Sequence, residues 1–168
     1  MEIEEAIKTA IDYEKRVVRV YDEAARSSLD PAGRKIFGAL AKEEEEHVTY
    51  LVARLNEWKS TGRVTAASLG TVVPARARIE EGIRTLQGRV AVKAPEAEMR
   101  LLKRALDVEV ETSAFYGRVV KELPPEGRAL FERFVEIEQG HQAIVQAEMN
   151  AVAGNGYWFD MPEISMEA

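Results

Sequence analysis

Apolar residues recur every three or four positions over four long stretches of the chain, which is the period of one face of an α-helix. In the first stretch, residues 3–28, the apolar positions are Ile3, Ile7, Ala10, Ile11, Val17, Val18, Tyr21 and Ala25. Three more helices are predicted over about residues 31–59, 95–122 and 125–153, and each begins at a proline, which is favourable at the first helical position. The pattern predicts an all-α protein.

The breaks between these stretches define how the helices are connected. Asp30 is the candidate N-cap of the second helix, and the motif "LPPEG" separates the last two helices. A mixed connector at about residues 60–94 is expected to hold one shorter helix near residues 76–87. We therefore predict one bundle domain over residues 1–155, with a crossover at about 60–94. An extended tail at 156–168 is expected to dock its aromatic residues on the bundle or on a partner subunit.

Composition and charge narrow the possible functions. The chain has 168 residues, a formal net charge of -6 and no cysteine. An acidic helical chain without a basic cluster is a poor general binder of nucleic acid or membrane surfaces. Without cysteine it has no thiolate metal site, iron-sulfur cluster or thiol nucleophile. It also has no heme-binding signature, phosphate-binding glycine loop or Rossmann fingerprint. An acidic N-terminus and the lack of a long apolar run lead us to expect a cytoplasmic protein.

The two halves of the chain repeat one another, which is visible in a single sequence. The segment "AIDYEKRVVRVY" aligns with "ALDVEVETSAFY", and "PAGRKIFGALAKEEEEHVTYL" aligns with "PEGRALFERFVEIEQGHQAIV". Each half is therefore predicted to be a helical hairpin. The alignment pairs six residues that carry chemistry: Glu14 with Glu109, Glu44 with Glu138, and His47 with His141.

These six residues lie on the apolar faces of their predicted helices. Glu14 and Glu109 have apolar neighbours at helical spacing, and each Glu-x-x-His pair, being three residues apart, shares one face. Ionised carboxylates buried without compensation would cost several kcal/mol each, roughly, so a positive charge is expected between them. Two divalent or trivalent cations would supply it, with two glutamates bridging, two capping and one histidine on each ion, a donor set that iron and manganese accept.

Two simpler interpretations stay open at this stage. The six residues could form a buried hydrogen-bond network without metal. Tyr21 and Tyr116, seven residues after Glu14 and Glu109, could hydrogen-bond the metal-bound carboxylates or simply pack in the core. Of the charge run beside His47, the side chains of Glu43, Glu45 and Glu46 are expected to face solvent mostly.

The two hairpins, the Glu-x6-Tyr motifs and the Glu-x-x-His motifs together resemble the ferritin-like superfamily of di-iron carboxylate proteins, closest to its rubrerythrin branch. The resemblance covers about residues 3–153. It implies an antiparallel four-helix bundle whose two hairpins are joined by a long crossover. It also implies a set of metal ligands: Glu14, Glu44, His47, Glu109, Glu138 and His141.

The resemblance implies an iron-dependent oxidoreductase that reduces hydrogen peroxide or dioxygen, with a role in oxidative stress. Because the chain lacks the cysteine-ligated rubredoxin domain of full-length rubrerythrins, an external electron-donor protein is expected. The extra carboxylate that rubrerythrins carry one turn after the third-helix glutamate is replaced by Thr112, while Glu111 points to another face. The six-ligand set is nearer to that of bacterioferritins. The alternative is therefore a ferritin-like protein for iron binding or storage with ferroxidase activity. The resemblance also implies a homodimer.

Overall fold

The computed structural model describes residues 1–85, 89–92 and 94–159 of the chain. These residues form five α-helices and two short strands, so the prediction of an all-α protein is confirmed. The elements are α1 (Ile3–Ser27), α2 (Pro31–Thr61), α3 (Arg76–Thr85), β1 (Arg89–Ala91), α4 (Pro95–Glu122), α5 (Pro125–Asn155) and β2 (Tyr157–Phe159). The four long helices begin at the residues predicted from the sequence and end within two residues of the prediction. Residues 86 and 87, the predicted end of the short helix, lie outside the described residues.

The ends of the long helices follow from local chemistry. Pro31 occupies the first turn of α2 and Asp30 its N-cap, as predicted, although the Asp30 side chain makes no capping hydrogen bond. The α2 and α5 helices both end on a glycine in the left-handed conformation, Gly62 at φ 67° and Gly156 at φ 69°. Glycine adopts this conformation without steric cost, and it stops the helix.

Four long helices pack into one bundle. The α1 helix packs along α2, α4 packs along α5, and α1 packs against α4. Two clusters of buried apolar side chains fill the interior, one around Tyr21, Phe37 and Trp158 and the other around Tyr116, Phe131 and Phe134. Each long helix contributes residues to both clusters, and a short polar stretch separates its two contributions. This polar layer is where the candidate site lies.

The chain after α5 folds back onto the bundle. The β2 strand pairs antiparallel with β1, with Val90 opposite Trp158. Trp158 is fully buried and meets Phe37 edge-on at a ring-centroid distance of 5.6 Å, while the Phe159 amide donates to Glu148 at 2.8 Å. The aromatic residues of the predicted tail thus dock on the bundle of the same chain. The strand pairing itself was not predicted, and residues 160–168 lie outside the described residues.

No helix among the described residues combines the length and the apolar character that crossing a membrane requires.

Candidate metal centre

The fold brings all six candidate ligands together at the middle of the bundle. One glutamate comes from α1, one from α4, and a Glu-x-x-His pair comes from each of α2 and α5. Every one of the six is fully buried between the two apolar clusters. The helical periodicity explains this, because each residue occupies the inward position that an apolar side chain takes elsewhere on the same helix.

The six residues form two overlapping groups, each able to hold a metal ion. Within each group the ligand atoms lie within 4.8 Å of one another. One group is Glu14, Glu44, His47 and Glu138, and the other is Glu44, Glu109, Glu138 and His141. Glu44 and Glu138 belong to both groups, and each group therefore draws ligands from both hairpins.

Both histidines turn the same ring nitrogen towards the carboxylates. His47 Nδ1 lies 2.8 Å from Glu44 Oε2, and His141 Nδ1 lies 2.6 Å from Glu44 Oε1. The two imidazole rings are nearly parallel, with an interplanar angle of 7° and a centroid distance of 5.7 Å. The Nε2 atoms of the two rings take no part in these contacts with Glu44.

The polar atoms at this site fit a cation. Three of the four candidate glutamates have buried oxygen atoms without a hydrogen-bond partner: Glu14 Oε2, Glu109 Oε2 and both carboxylate oxygens of Glu138. A buried polar atom left unpaired costs about 1–3 kcal/mol, so such atoms are rare in native proteins unless something completes them. The ion pairs described for these carboxylates are all with the two histidines. Buried carboxylates in excess over cationic side chains are the donor set that a metal ion would neutralise.

Burial and mutual repulsion raise the pKa values of some of these carboxylates, while attraction to the histidines lowers that of Glu44. Burial raises the pKa of Glu14 to about 8, and the neighbouring charge of Glu44 adds to the shift. Burial and repulsion from Glu44 also raise the pKa of Glu138 well above its usual range. Although burial opposes ionisation of Glu44 as well, attraction to His141 and His47 holds its pKa well below the usual range. For both histidines, burial favours the neutral ring, but attraction to Glu44 outweighs it and raises their pKa.

Two tyrosines link the hairpins through hydrogen bonds to Glu109 and Glu14. The Tyr21 hydroxyl on α1 donates to Glu109 Oε1 on α4 at 2.5 Å. In return the Tyr116 hydroxyl on α4 donates to Glu14 on α1. Of the two interpretations left open by the sequence, hydrogen bonding to the carboxylates therefore describes both tyrosines, which also pack in the core. Each bond fixes the carboxylate of the opposite hairpin.

Glu43 is a residue of the site that the sequence interpretation missed. Glu45 and Glu46 are exposed as expected, but Glu43 is only 3% exposed, and the expectation for it was wrong. Its Oε1 atom lies 3.0 Å from His141 Nε2 and 3.7 Å from His47 Nε2. The internal repeat held the missing signal, because its offset of 94 residues pairs Glu43 with Ile137, a buried core position.

The position one turn after Glu109 on α4 carries a threonine and no carboxylate, and the nearby Glu111 points to another face, as the sequence indicated. Thr112 is buried and its hydroxyl donates to the Val108 carbonyl of its own helix at 2.8 Å. Glu111 is exposed and pairs with Arg16 across the α1/α4 interface at 2.6 Å. No seventh inward carboxylate therefore comes from this turn of α4.

Comparisons of the chain with family models, with curated proteins and with solved structures give no match. The function is therefore inferred from the site itself.

Proposed function

We propose that this site binds two iron ions and that the protein is a di-iron oxidoreductase of rubrerythrin type. It would reduce hydrogen peroxide or dioxygen with electrons from an external donor protein. The observation that carries the proposal is the pair of overlapping ligand groups, which share Glu44 and Glu138 and hold one histidine each. Two metal ions bridged by two carboxylates would satisfy both groups at once.

A ferritin-like arrangement of the four helices is part of the proposal. The order in which the helices pass the two apolar clusters supports it. The α1 and α5 helices reach the cluster around Tyr116 and Phe131 first, whereas α2 and α4 reach the cluster around Phe37 and Trp158 first. Neighbours α1 and α2, α4 and α5, and α1 and α4 therefore run in opposite directions, as expected for an antiparallel bundle.

The donor chemistry suits iron, and manganese is the closest competitor. Carboxylate oxygens with one imidazole per ion are ligands that both metals accept. Four carboxylates and two neutral imidazoles carry four negative charges, which two divalent ions would balance. When bound, two ferrous ions would supply the two electrons that, with two protons, convert one hydrogen peroxide molecule into two water molecules.

The residues of the chain would hold and orient this centre. Glu44 and Glu138 would neutralise both ions, and Glu14 and Glu109 would each cap one. Because Tyr116 and Tyr21 donate to these caps, neither carboxylate is free to rotate away. The apolar clusters on both sides limit the entry of water, which strengthens every electrostatic interaction in the site.

A second candidate function is iron handling, in which ferrous iron is the substrate and its oxidation serves storage. Two features favour it. The site has six candidate ligands, and the extra inward carboxylate typical of rubrerythrins is replaced by Thr112, whose hydroxyl donates to its own helix backbone. The two functions differ in what is consumed. A peroxidase turns over repeatedly with a donor, whereas a storage protein accumulates iron.

Elemental analysis and ultraviolet-visible spectroscopy of the purified protein test the proposal. We expect about two metal ions per chain and an iron-dependent absorption that bleaches on reduction and returns with hydrogen peroxide. For a Glu44→Gln variant, which should lose metal, the matched control is Glu45→Gln, since Glu45 is exposed on the same turn as Glu44. Repeated turnover with a donor in a dimeric protein would favour the peroxidase, while many irons per chain in a large shell would favour storage. Folded protein that takes up no metal would overturn the site itself.

A further inference from the structure

We propose that Glu43 is a positioning residue for both histidines, and that the connector between α2 and α3 holds Glu43 in place through the backbone of Val72. The inference rests on the proposed metal centre and adds a residue to it. It also assigns a role to the connector, which contributes no ligand.

The two histidine rings have the same orientation relative to the inner carboxylates. Both present Nδ1 to the inner carboxylates, so a metal ion bound there leaves Nε2 as the protonated ring nitrogen. His141 Nε2 lies 3.0 Å from Glu43 Oε1. His47 Nε2 has no hydrogen-bond partner, and the same Glu43 oxygen faces it at 3.7 Å. Metal-binding histidines generally donate their second N–H to a carboxylate, carbonyl or water, which fixes both tautomer and ring orientation.

One carboxylate, that of Glu43, faces both rings. Glu43 comes from α2, as does His47, but its shorter contact is with His141 of the other hairpin. At the equivalent position of α5 stands Ile137, which can accept no hydrogen bond. Glu43 is therefore the carboxylate that both Nε2 atoms face, within hydrogen-bond distance of His141 and at 3.7 Å from His47, and its loss should affect both metal positions together.

A hydrogen bond from the connector fixes the Glu43 side chain. Its second oxygen, Oε2, accepts the Val72 amide at 2.8 Å. The same connector is held by side chains of α2 and α5 that donate to its carbonyls: Tyr50 to Ala67 at 2.7 Å, Arg54 to Thr65 at 3.1 Å, and Arg133 to Leu69 at 2.9 Å. These three bonds are at the exposed surface. The Val72 bond alone among the four leads to the metal centre.

Binding and connector docking are therefore linked through Glu43. Metal at Nδ1 would leave a proton on Nε2 of both rings, and the Nε2–H of His141 would donate to Glu43, while that of His47 faces the same oxygen at 3.7 Å. The other oxygen of Glu43 accepts the Val72 amide. By reciprocity of linked equilibria, metal should protect this amide from hydrogen exchange, and the docked connector should strengthen metal binding.

The experiment titrates the full-length metal-free protein and its Glu43→Gln variant with Mn²⁺. A glutamine oxygen can accept from one ring or from Val72, but the amide nitrogen cannot replace the second carboxylate oxygen. We expect both Mn²⁺ affinities to fall by about 10–100-fold, while Glu45→Gln leaves both unchanged. Nitrogen NMR shifts of the imidazoles should report a single Nε2–H tautomer in the loaded wild type and a mixture in the variant.

Hydrogen exchange at Val72 provides the second measurement and needs no variant in its simplest form. In the wild type, Mn²⁺ should slow exchange of this amide. Arg133→Gln, which releases Leu69 without touching Glu43, should speed exchange of the connector equally with and without Mn²⁺. Wild-type protein that binds no Mn²⁺ would overturn the metal centre and this inference together. Normal wild-type binding, with Glu43→Gln weakening one position or neither, or with no protection of Val72, would overturn this inference alone.

Discussion

The two hairpins carry the same candidate ligands but support them differently. In both, a glutamate on the first helix and a Glu-x-x-His pair on the second point into the bundle, and a tyrosine reaches across to the other half. At the position before the shared glutamate, however, the first hairpin has buried Glu43 and the second has Ile137. Ile137 instead lines a cavity of about 390 Å³ beside Val73 of the connector. The ligands are duplicated, while the surroundings that position them are not.

The difference extends to the protonation of the two shared glutamates. Glu44 lies within 2.8 Å of the Nδ1 atoms of both histidines, whereas Glu138 lies 3.6 and 3.8 Å from them. The closer imidazoles keep the pKa of Glu44 low even though burial opposes its ionisation, and burial with repulsion from Glu44 raises the pKa of Glu138. Of the two shared glutamates, Glu44 therefore carries the negative charge in metal-free protein and Glu138 holds a proton.

Substitution of the two shared glutamates should have the largest effect. Both Glu44→Gln and Glu138→Gln should reduce bound metal from about two ions per chain towards none, because each residue belongs to both ligand groups. Metal-free stability should separate them. Glu44→Gln leaves two buried imidazolium rings without their closest anion and should lower the free energy of unfolding by about 3 kcal/mol. Glu138→Gln imitates a protonated acid and should change it by less than about 1 kcal/mol. Urea unfolding measures both, and equal losses would contradict the assigned asymmetry.

The pH dependence of metal-free stability is the next largest effect. The pKa of Glu14 is about 8 in the folded protein against an ordinary value of 4.5, so the folded state binds the extra proton between these limits. The raised pKa of both histidines acts in the same direction. The free energy of unfolding should therefore fall as the pH rises from 5 to 8, by at least about 1.4 kcal/mol, the value of one pKa unit.

Glu14→Gln should flatten this slope, which thermal unfolding at a series of pH values would measure. Metal-loaded protein should show the opposite trend, because protons compete with metal for the same atoms. A metal-free protein that becomes more stable towards pH 8 would contradict the assignment.

The reciprocal tyrosines should give smaller and matched effects. Tyr21→Phe and Tyr116→Phe each remove one hydrogen bond to a buried carboxylate of the other hairpin, for a loss of about 1–2 kcal/mol in metal-free stability. Each should also weaken metal binding, the first at the group that contains Glu109 and the second at the group that contains Glu14. Urea unfolding and Mn²⁺ titration of the pair give the comparison. A large loss in one variant and none in the other would show that the crossed bonds are not equivalent.

The smallest effect is expected where the halves differ without consequence for the ligands. Thr112→Val gives α4 the residue that α1 has at Val17, and it removes a hydroxyl that bonds only its own helix backbone. Stability should change by less than about 0.5 kcal/mol, and metal stoichiometry should not change. A loss of metal in this variant would mean that the threonine hydroxyl belongs to the site after all.

The sequence predicted the helices and the inward position of the six candidate ligands because both depend on local spacing. Helical periodicity places Glu14 and Glu44 inward regardless of what lies opposite, and the internal repeat confirms which positions matter. Glu43 was missed because a run of four glutamates is usually solvated, and its burial depends on two histidine nitrogens and a connector amide that spacing does not reveal. The pairing of β1 with β2 was missed for the same reason, since two strands of three residues carry no usable period.

The reciprocal layout of the two ligand groups has a consequence for the ancestry of such a molecule. A chain with a single hairpin, paired with its own copy about a two-fold axis, would assemble the same glutamates and histidines, because every ligand of one half has its counterpart in the other. Two identical halves would, however, place two glutamates or two isoleucines at the position of Glu43 and Ile137. When both hairpins are joined in one polypeptide, their sequences can differ. One glutamate can then face both imidazoles while the equivalent residue of the other hairpin stays apolar.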